Sequence, residues 1–532
     1  MAIVHRCLLF SLLCYAWSTS DAPRSCCVLA CFAIVAGRRA TADGSVLVGH
    51  NEQDRGPCLV SFDWVPRQPL AEAVPERLRY SRCPTSAGHT ASFLWSQCVG
   101  KRAADSVLNE YGVAVVSNKC PTREDPPAVL AARGDLVDGG IGYLLRRLVA
   151  QQATTAREGV VIAGELVERF GYTPPGRTYV VADTDEAWLM AVVGSRRWVA
   201  QRVPDEAVVV VPNVHVLRGV DLVDTDHFLG SADLINYAVR RGWYDPAIDG
   251  PFDFRRVYRQ VRANGNGSGT RGATAGLSSS VETRTVVPDT RTSSQRPDES
   301  DPRRWWAHRL ITDSEIPWPP EGPLPLWIRP REPMSVGAMA AILRSRGGQK
   351  PLSTTETVEA SVLQLRAGLP RAIGCVYWRI TCEPSSGVLV PWYLGISRVP
   401  DNYHEPASLA RRLSLEYQFS PSAETFEPKP ELAWWKFKTL ERRVHEDYDG
   451  RIVAVRGAWA ELENRLMAGQ ESVERETLRL WQQDPQNPGA ASDYLTRCCA
   501  GVADEACREA DRLVGLFDGR ATESVARPHL AR

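Results

Sequence analysis

The sequence has no excess charge of either sign: 63 Lys and Arg balance 63 Asp and Glu. A nucleic-acid partner normally needs a basic excess, so that class of partner is set aside. There is no internal repeat of fixed period, which argues against solenoids, propellers and arrays. None of the 14 cysteines forms a Cys-x-x-Cys pair. No spacing therefore matches a zinc site, and no metal is expected. The apolar run Cys7–Trp17 has only eleven residues. That is too short to cross a bilayer, so stable membrane insertion is not expected either.

What is present is a chain of 532 residues, 44% hydrophobic and 24% charged. This is enough for a large core, in one large unit or in two to four domains. Residues 1–30 read as a signal peptide or propeptide. Arg6 supplies positive charge and Cys7–Trp17 an h-region, which points to export into a secreted or vesicular-lumen compartment. Val28-Leu29-Ala30 has small or apolar residues directly before Cys31, as signal peptidase requires. Asp21 and Arg24 separate that point from the apolar run, so an earlier cut followed by propeptide removal fits equally. The same four residues resemble a bacterial lipobox. Lipidation of Cys31 and its use as an N-terminal nucleophile exclude each other. Export makes disulfides possible. Cys375 lies near Cys382, and Cys498, Cys499 and Cys507 cluster, but connectivity is not legible.

Phe32–Ala36 and Val46–Gly49 are short apolar runs joined by a polar connection ending in Asp43-Gly44-Ser45. That pattern predicts a hairpin. With strands flanking the turn evenly, Ala36 faces Val46 and Cys31 faces roughly Asn51. The Cys31 thiol then lies beside His50, Asn51 and Glu52, which makes it a candidate nucleophile. On the hairpin alone an ordinary buried cysteine is the favoured reading, and matches further along the chain reverse that. Further along, 59–65, 113–116, 178–182, 187–193, 198–203 and 207–211 read as strands, and 139–151 and 155–170 as helices. Helices followed by a run of antiparallel-looking strands argue for layered α and β elements rather than βαβ units. Residues 434–467 read as an amphipathic helix with a break at Asp449-Gly450, its tryptophans in the core. Residues 264–300 are rich in Gly, Ser, Thr and Arg and read as a disordered insertion carrying the sequon Asn266-Gly267-Ser268. Residues 519–532 read as a flexible tail.

Cys31, the turn Ala40-Thr41-Ala42-Asp43-Gly44-Ser45 and His50-Asn51-Glu52 resemble the start of the C69 family of dipeptidases. Those are N-terminal-nucleophile hydrolases, related to penicillin V acylase and bile salt hydrolase. The resemblance continues in Gly139-Gly140-Ile141-Gly142-Tyr143, Arg146-Arg147-Leu148, Gly176-Arg177-Thr178-Tyr179, Trp198–Asp205, Pro212-Asn213, Gly242–Pro246 and Pro391–Ile396. It covers most of the chain from Cys31 to about Met467. It implies an α+β fold, the αββα sandwich of N-terminal-nucleophile hydrolases, over one domain at 31–518. It implies a cysteine-type dipeptidase acting on dipeptides or short peptides, with no cofactor. Self-association into a homo-oligomer is compatible with it.

In that family the cysteine becomes residue one, and its own α-amine can serve as base. An unperturbed α-amine has a pKa of about 7.7–8.0, near the working pH. The resemblance places Asn118 and Asn213, each after a β-prone run, where oxyanion-hole or substrate-orienting groups belong. It places Arg303 or Arg304, Arg304 in particular, near the nucleophile, and His50, Asn51 and Glu52 beside the substrate. The sequence departs from the pattern twice: His50 stands where relatives often have Arg, and Gln53 where they usually have Asp. That acid would hold the α-ammonium. Two other readings remain: an acylase on a non-peptide amide, and a non-catalytic protein that keeps the fold, as secernins do.

Overall fold

The structure, a computed structural model, describes residues 31–80, 88–101, 104–260 and 301–519. The expectations for 1–30, for the insertion at 264–300 and for the tail beyond residue 519 lie outside the described residues.

The strands, in chain order, are β1 (Phe32–Ala36), β2 (Val46–Gln53), β3 (Val60–Val65), β4 (Phe93–Cys98), β5 (Asp105–Asn109), β6 (Ala114–Lys119), β7 (Arg177–Ala182), β8 (Ala187–Val192), β9 (Trp198–Arg202), β10 (Val208–Val211), β11 (Phe228–Gly230), β12 (Thr357–Leu365), β13 (Cys375–Thr381) and β14 (Val390–Tyr393). They form two sheets. One runs β10-β1-β2-β12-β13-β14 and the other β11-β9-β8-β7-β6-β5-β4-β3. Every neighbouring pair is antiparallel.

The helices that cover them are α1 (Leu145–Gln152), α2 (Ala156–Phe170), α3 (Pro302–Thr312), α4 (Val336–Leu343), α5 (Ala433–Glu446), α6 (Tyr448–Gln483) and α7 (Gly489–Phe517). α1 and α2 pack on the eight-stranded sheet, through Leu145, Leu148, Val160 and Val167 against Val181, Trp188 and Met190. α4 packs on β2 and β12, and α7 on β14. The layer order is therefore helix, sheet, sheet, helix, the α+β αββα sandwich that the resemblance implied. Both faces of each sheet are covered. This is why β10 can be four consecutive valines, all fully buried, rather than an alternating strand.

Two predicted boundaries move for identifiable reasons. The helix expected from Gly139 begins at Leu145, because Gly139 and Gly140 both take φ of +80° and form turns instead. The break expected at Asp449-Gly450 falls at Asp447, an extended residue whose side chain accepts from the Gly450 amide and so caps α6. Among the described cysteines, Cys58 and Cys98 form a disulfide that ties the start of β3 to the end of β4. Cys375, Cys382, Cys498, Cys499 and Cys507 are free thiols.

Candidate active site

Cys31 stands at the head of β1, 4% exposed. The β1–β2 register pairs Phe32 with Asn51 and Ala36 with Leu47. Extending it by one residue sets Cys31 opposite Glu52, not Asn51. The expected hairpin is thus corrected by one position. The connection is not an even turn: Arg39 and Ala40 bond to the Asp205 carbonyl, and Ala42 to that of Met334. A one-residue slip exchanges the two faces of a strand. His50 and Glu52 accordingly face the other sheet, and Asn51 and Gln53 face the helical layer.

Asn51 turns to the helical layer. Its amide donates to the Leu343 carbonyl at 3.0 Å and the Leu352 carbonyl at 2.9 Å, at the end of α4 and just beyond it. It anchors structure and is not brought to the thiol. Gln53 does likewise, donating to the Leu352 carbonyl at 2.9 Å and Thr357 Oγ1 at 2.8 Å. The side chain standing where relatives carry an acid is thus committed elsewhere.

At the thiol, Cys31 Sγ donates to Glu52 Oε1 at 3.0 Å. The Cys31 carbonyl accepts from Arg303 Nη1 at 3.3 Å, and Arg303 Nη2 reaches Asn213 Oδ1 at 3.0 Å. Asn213 Nδ2 in turn donates to the Lys119 carbonyl at 2.9 Å. Asn118 Nδ2 donates to the Val211 carbonyl, and its Oδ1 meets His50 Nε2 at 3.1 Å. An amide oxygen only accepts, so His50 carries its proton on Nε2. The two asparagines, expected from separate β-prone runs, are therefore gathered at neighbouring strand ends of the two sheets. Of the two arginines, the structure brings Arg303 to Cys31. Arg304 points away and donates to the carbonyls of Leu324 at 3.0 Å and Pro325 at 2.8 Å. Successive residues of a helix project about 100° apart, so only one of the pair can face the strand.

The electrostatics are those of a resting site. Burial pushes the Cys31 thiol well above its ordinary range, and the neighbouring Glu52 adds to this. Burial also raises Glu52 to about 8, against the pull of Arg146 and Arg177. His50 is lowered to about 3, by burial first and then by the Arg146 charge. It stays neutral, and among the described residues no hydrogen bond joins it to Cys31. Arg146 and Arg177 are site residues that sequence reasoning missed. Both donate to Ser117 Oγ, Arg177 at 3.2 Å, and Arg146 is ion-paired with Asp105. Their signal was a cation inside apolar, secondary-structure-forming segments, where the alternative to function is an exposed face. Arg146 is in fact 1% exposed. No group of three or more His, Cys, Asp or Glu among the described residues is placed to hold a metal.

A helix-covered pair of antiparallel sheets thus carries a buried cysteine at the head of β1, an interior strand of the six-stranded sheet. Residues 30–267 match the model of peptidase family C69. The chain is similar to a probable dipeptidase of Salmonella dublin, 25% identical over 400 residues, which span 69% of this chain and 82% of the relative. A dipeptidase of Bifidobacterium longum is 22% identical over 425 residues, 70% of this chain and 72% of the relative. Among solved structures, penicillin V acylase from Agrobacterium tumefaciens aligns at 10% identity with a TM-score of 0.29, over 68% of this chain and 86% of that one. A C2A mutant of conjugated bile acid hydrolase from Clostridium perfringens aligns at 12% identity and a TM-score of 0.24, over 66% and 89%.

Proposed function

We propose that the protein is a cysteine-type dipeptidase whose nucleophile, Cys31, gains its base when the preceding segment is removed. The observation that carries this reading is a buried thiol at the head of β1, within a C69 match that starts at residue 30, with no histidine among the described residues bonded to it. A thiol is a weak nucleophile until it loses its proton. Here burial and Glu52 both oppose that loss. Freeing the Cys31 amine supplies a base on the same residue. The amine takes the thiol proton, and the thiolate attacks the substrate carbonyl, forming an S–C bond. The C–N bond then breaks, and the leaving amine departs with the proton. Water hydrolyses the thioester and returns the thiol. The resemblance assigns the oxyanion to Asn213 and Asn118, and Arg303 holds Asn213 against the Cys31 backbone.

Export before cleavage fits the apolar Cys7–Trp17 segment and the Cys58–Cys98 disulfide, since disulfides persist in oxidising compartments. Among the described residues no helix is long and apolar enough to cross a membrane.

The experiment is to sequence the mature N-terminus and assay three variants on dipeptides. Cys31→Ala abolishes turnover, and Cys31→Ser removes most of it because a hydroxyl is much harder to deprotonate. A variant whose residue 30 blocks cleavage is inactive although it keeps the thiol. An uncut protein as active as the mature one overturns the reading.

A further inference from the structure

The acid expected to hold the freed amine is missing at position 53, and Gln53 is bonded to Leu352 and Thr357. A different acid lies at the thiol. Glu52 is 8% exposed, its Oε1 accepts from Cys31 Sγ at 3.0 Å, and its Oε2 is buried with no hydrogen-bond partner. A buried carboxylate oxygen left open is costly, and the cost is relieved by a cation placed against it. The other buried acids nearby have their partners. Asp105 is ion-paired with Arg146, and Glu359 accepts from Tyr377 at 2.7 Å and Arg379 at 2.8 Å.

We propose that Glu52 exchanges partners when the chain is cut, holding the thiol proton of Cys31 in the uncut protein and the Cys31 α-ammonium in the mature one. The inference rests on the reading of Cys31 as an N-terminal nucleophile. The amine sits on the same residue as the thiol, at the strand head that faces Glu52, so the exchange needs no movement of β2. In the uncut chain the thiol donates to the carboxylate; this contact opposes ionisation of Cys31 and favours the ionised form of Glu52, whose burial opposes it. After the cut, a proton taken from the thiol by the amine gives an ammonium that the Glu52 carboxylate stabilises. The like-charge repulsion between carboxylate and thiolate is then offset by a cation in contact with both. Glu52 is a positioning residue in this scheme; it holds the base and does not itself attack the substrate. The charged and titratable groups around it are His50 and Asp54 on or next to its own strand, Arg146 on α1, Arg177 on β7, Asp105 on β5 and Glu359 on β12. None of the cations among them occupies Oε2.

The test uses the full chain in two forms: one blocked at residue 30, the other cut by a site-specific protease directly before Cys31. In the blocked form, the pH dependence of Cys31 alkylation by iodoacetamide is read on its peptide by mass spectrometry. In the cut form, the Cys31 amine is titrated by the NMR shift of selectively 15N-labelled cysteine. Glu52→Gln is expected to lower the thiol pKa in the blocked form and the ammonium pKa in the cut form. Each fall should be about one to three pH units, the range for losing an adjacent charge. Glu52→Asp should give smaller shifts in the same directions, and it carries the measurement if the Gln variant does not fold. Loosened packing alone would not lower the ammonium pKa, since better hydration favours the charged amine. An amine that titrates identically in wild type and variant overturns the inference while leaving the nucleophile reading intact. A mature protein that begins upstream of Cys31 overturns both.

Discussion

At the scale of single residues, the candidate site turns on which of two adjacent side chains faces the strand. Arg303 is 1% exposed and bridges Cys31 to Asn213; Arg304 satisfies loop carbonyls. Arg303→Gln is therefore expected to lower kcat by about tenfold, less than the ~10²–10³ lost with a direct oxyanion donor, because Arg303 acts through Asn213. Arg304→Gln should lower the melting temperature while the folded fraction keeps its kcat. Turnover normalised to folded protein by circular dichroism separates the two, and equal losses of kcat would contradict the assignment. Glu52 gives a second prediction, in the uncut chain. Its folded pKa of about 8 lies above its ordinary 4.5. A group raised in this way stabilises the fold fully below its unfolded pKa, and the contribution is lost as pH rises through the folded value. His50 has the opposite sign: its folded value of about 3 lies below 6.5, so its stabilisation is lost as pH falls through that interval. The wild type minus Glu52→Gln difference in unfolding free energy isolates the first effect. That difference should shrink steadily from pH 5 to pH 8 in the cleavage-blocked protein. A flat difference would mean that Glu52 is already ionised there.

At the scale of elements, the close approach of α2 to the eight-stranded sheet depends on two glycines, Gly159 against Val181 and, more tightly, Gly164. A Cβ on Gly164 would lie 2.2 Å from the Trp198 ring, which is rigid and buried at the start of β9. Gly164→Val should destabilise by about 1–3 kcal/mol through overpacking, more than any gain in helix propensity returns. It should do so without altering KM, because α2 lies on the face of the sheet away from Cys31. Denaturant melts and steady-state kinetics on the same preparation check both parts. The elements also show what was readable in the sequence. Strands β1 to β3 and β6 to β10 were legible because β-branched runs alternate with turn residues at short intervals, whereas β4 and β5, with Trp95, Ser96, Gln97, Asp105 and Ser106 among their buried residues, were not read. The pairing of Cys31 with Glu52 was not, since register depends on how residues 37–45 are held by Asp205 and Met334, far away in sequence. The arginines at 146 and 177 were quoted as motif residues but not as site residues, because their burial appears only when α1 and β7 are laid over β6. Helix α7 was not anticipated. Its buried face of Leu495, Cys499, Ala503, Ala506 and Ala510 is built mainly of small residues, which give a weak apolar signature.

At the scale of the whole molecule, the C69 match ends at residue 267, but the site does not. β2, which carries His50 and Glu52, is hydrogen-bonded along its length to β12, from Thr357 with Gln53 to Leu365 with Val46. β12 in turn pairs with β13, and α7 covers β14. Arg303, which holds the Cys31 carbonyl, also comes from beyond the matched stretch. A fragment ending at residue 267 would therefore expose β2 as a long, flat apolar edge, Val46 to Gly49 among it, and such edges template aggregation. It would also leave Asn51 and Gln53 without the carbonyls of Leu343 and Leu352 that they bond. The expected outcome is that residues 1–267 express as insoluble or unfolded protein with no dipeptide hydrolysis. Supplying residues 301–519 as a separate chain should restore soluble protein and turnover, because that piece contributes β12, β13, β14 and Arg303 together. Size-exclusion chromatography of the two co-expressed pieces, followed by the dipeptide assay on the joint peak, measures this. A soluble, active 1–267 fragment would show that the six-stranded sheet is not needed to hold Cys31 against Glu52, and that the architecture has been divided at the wrong place.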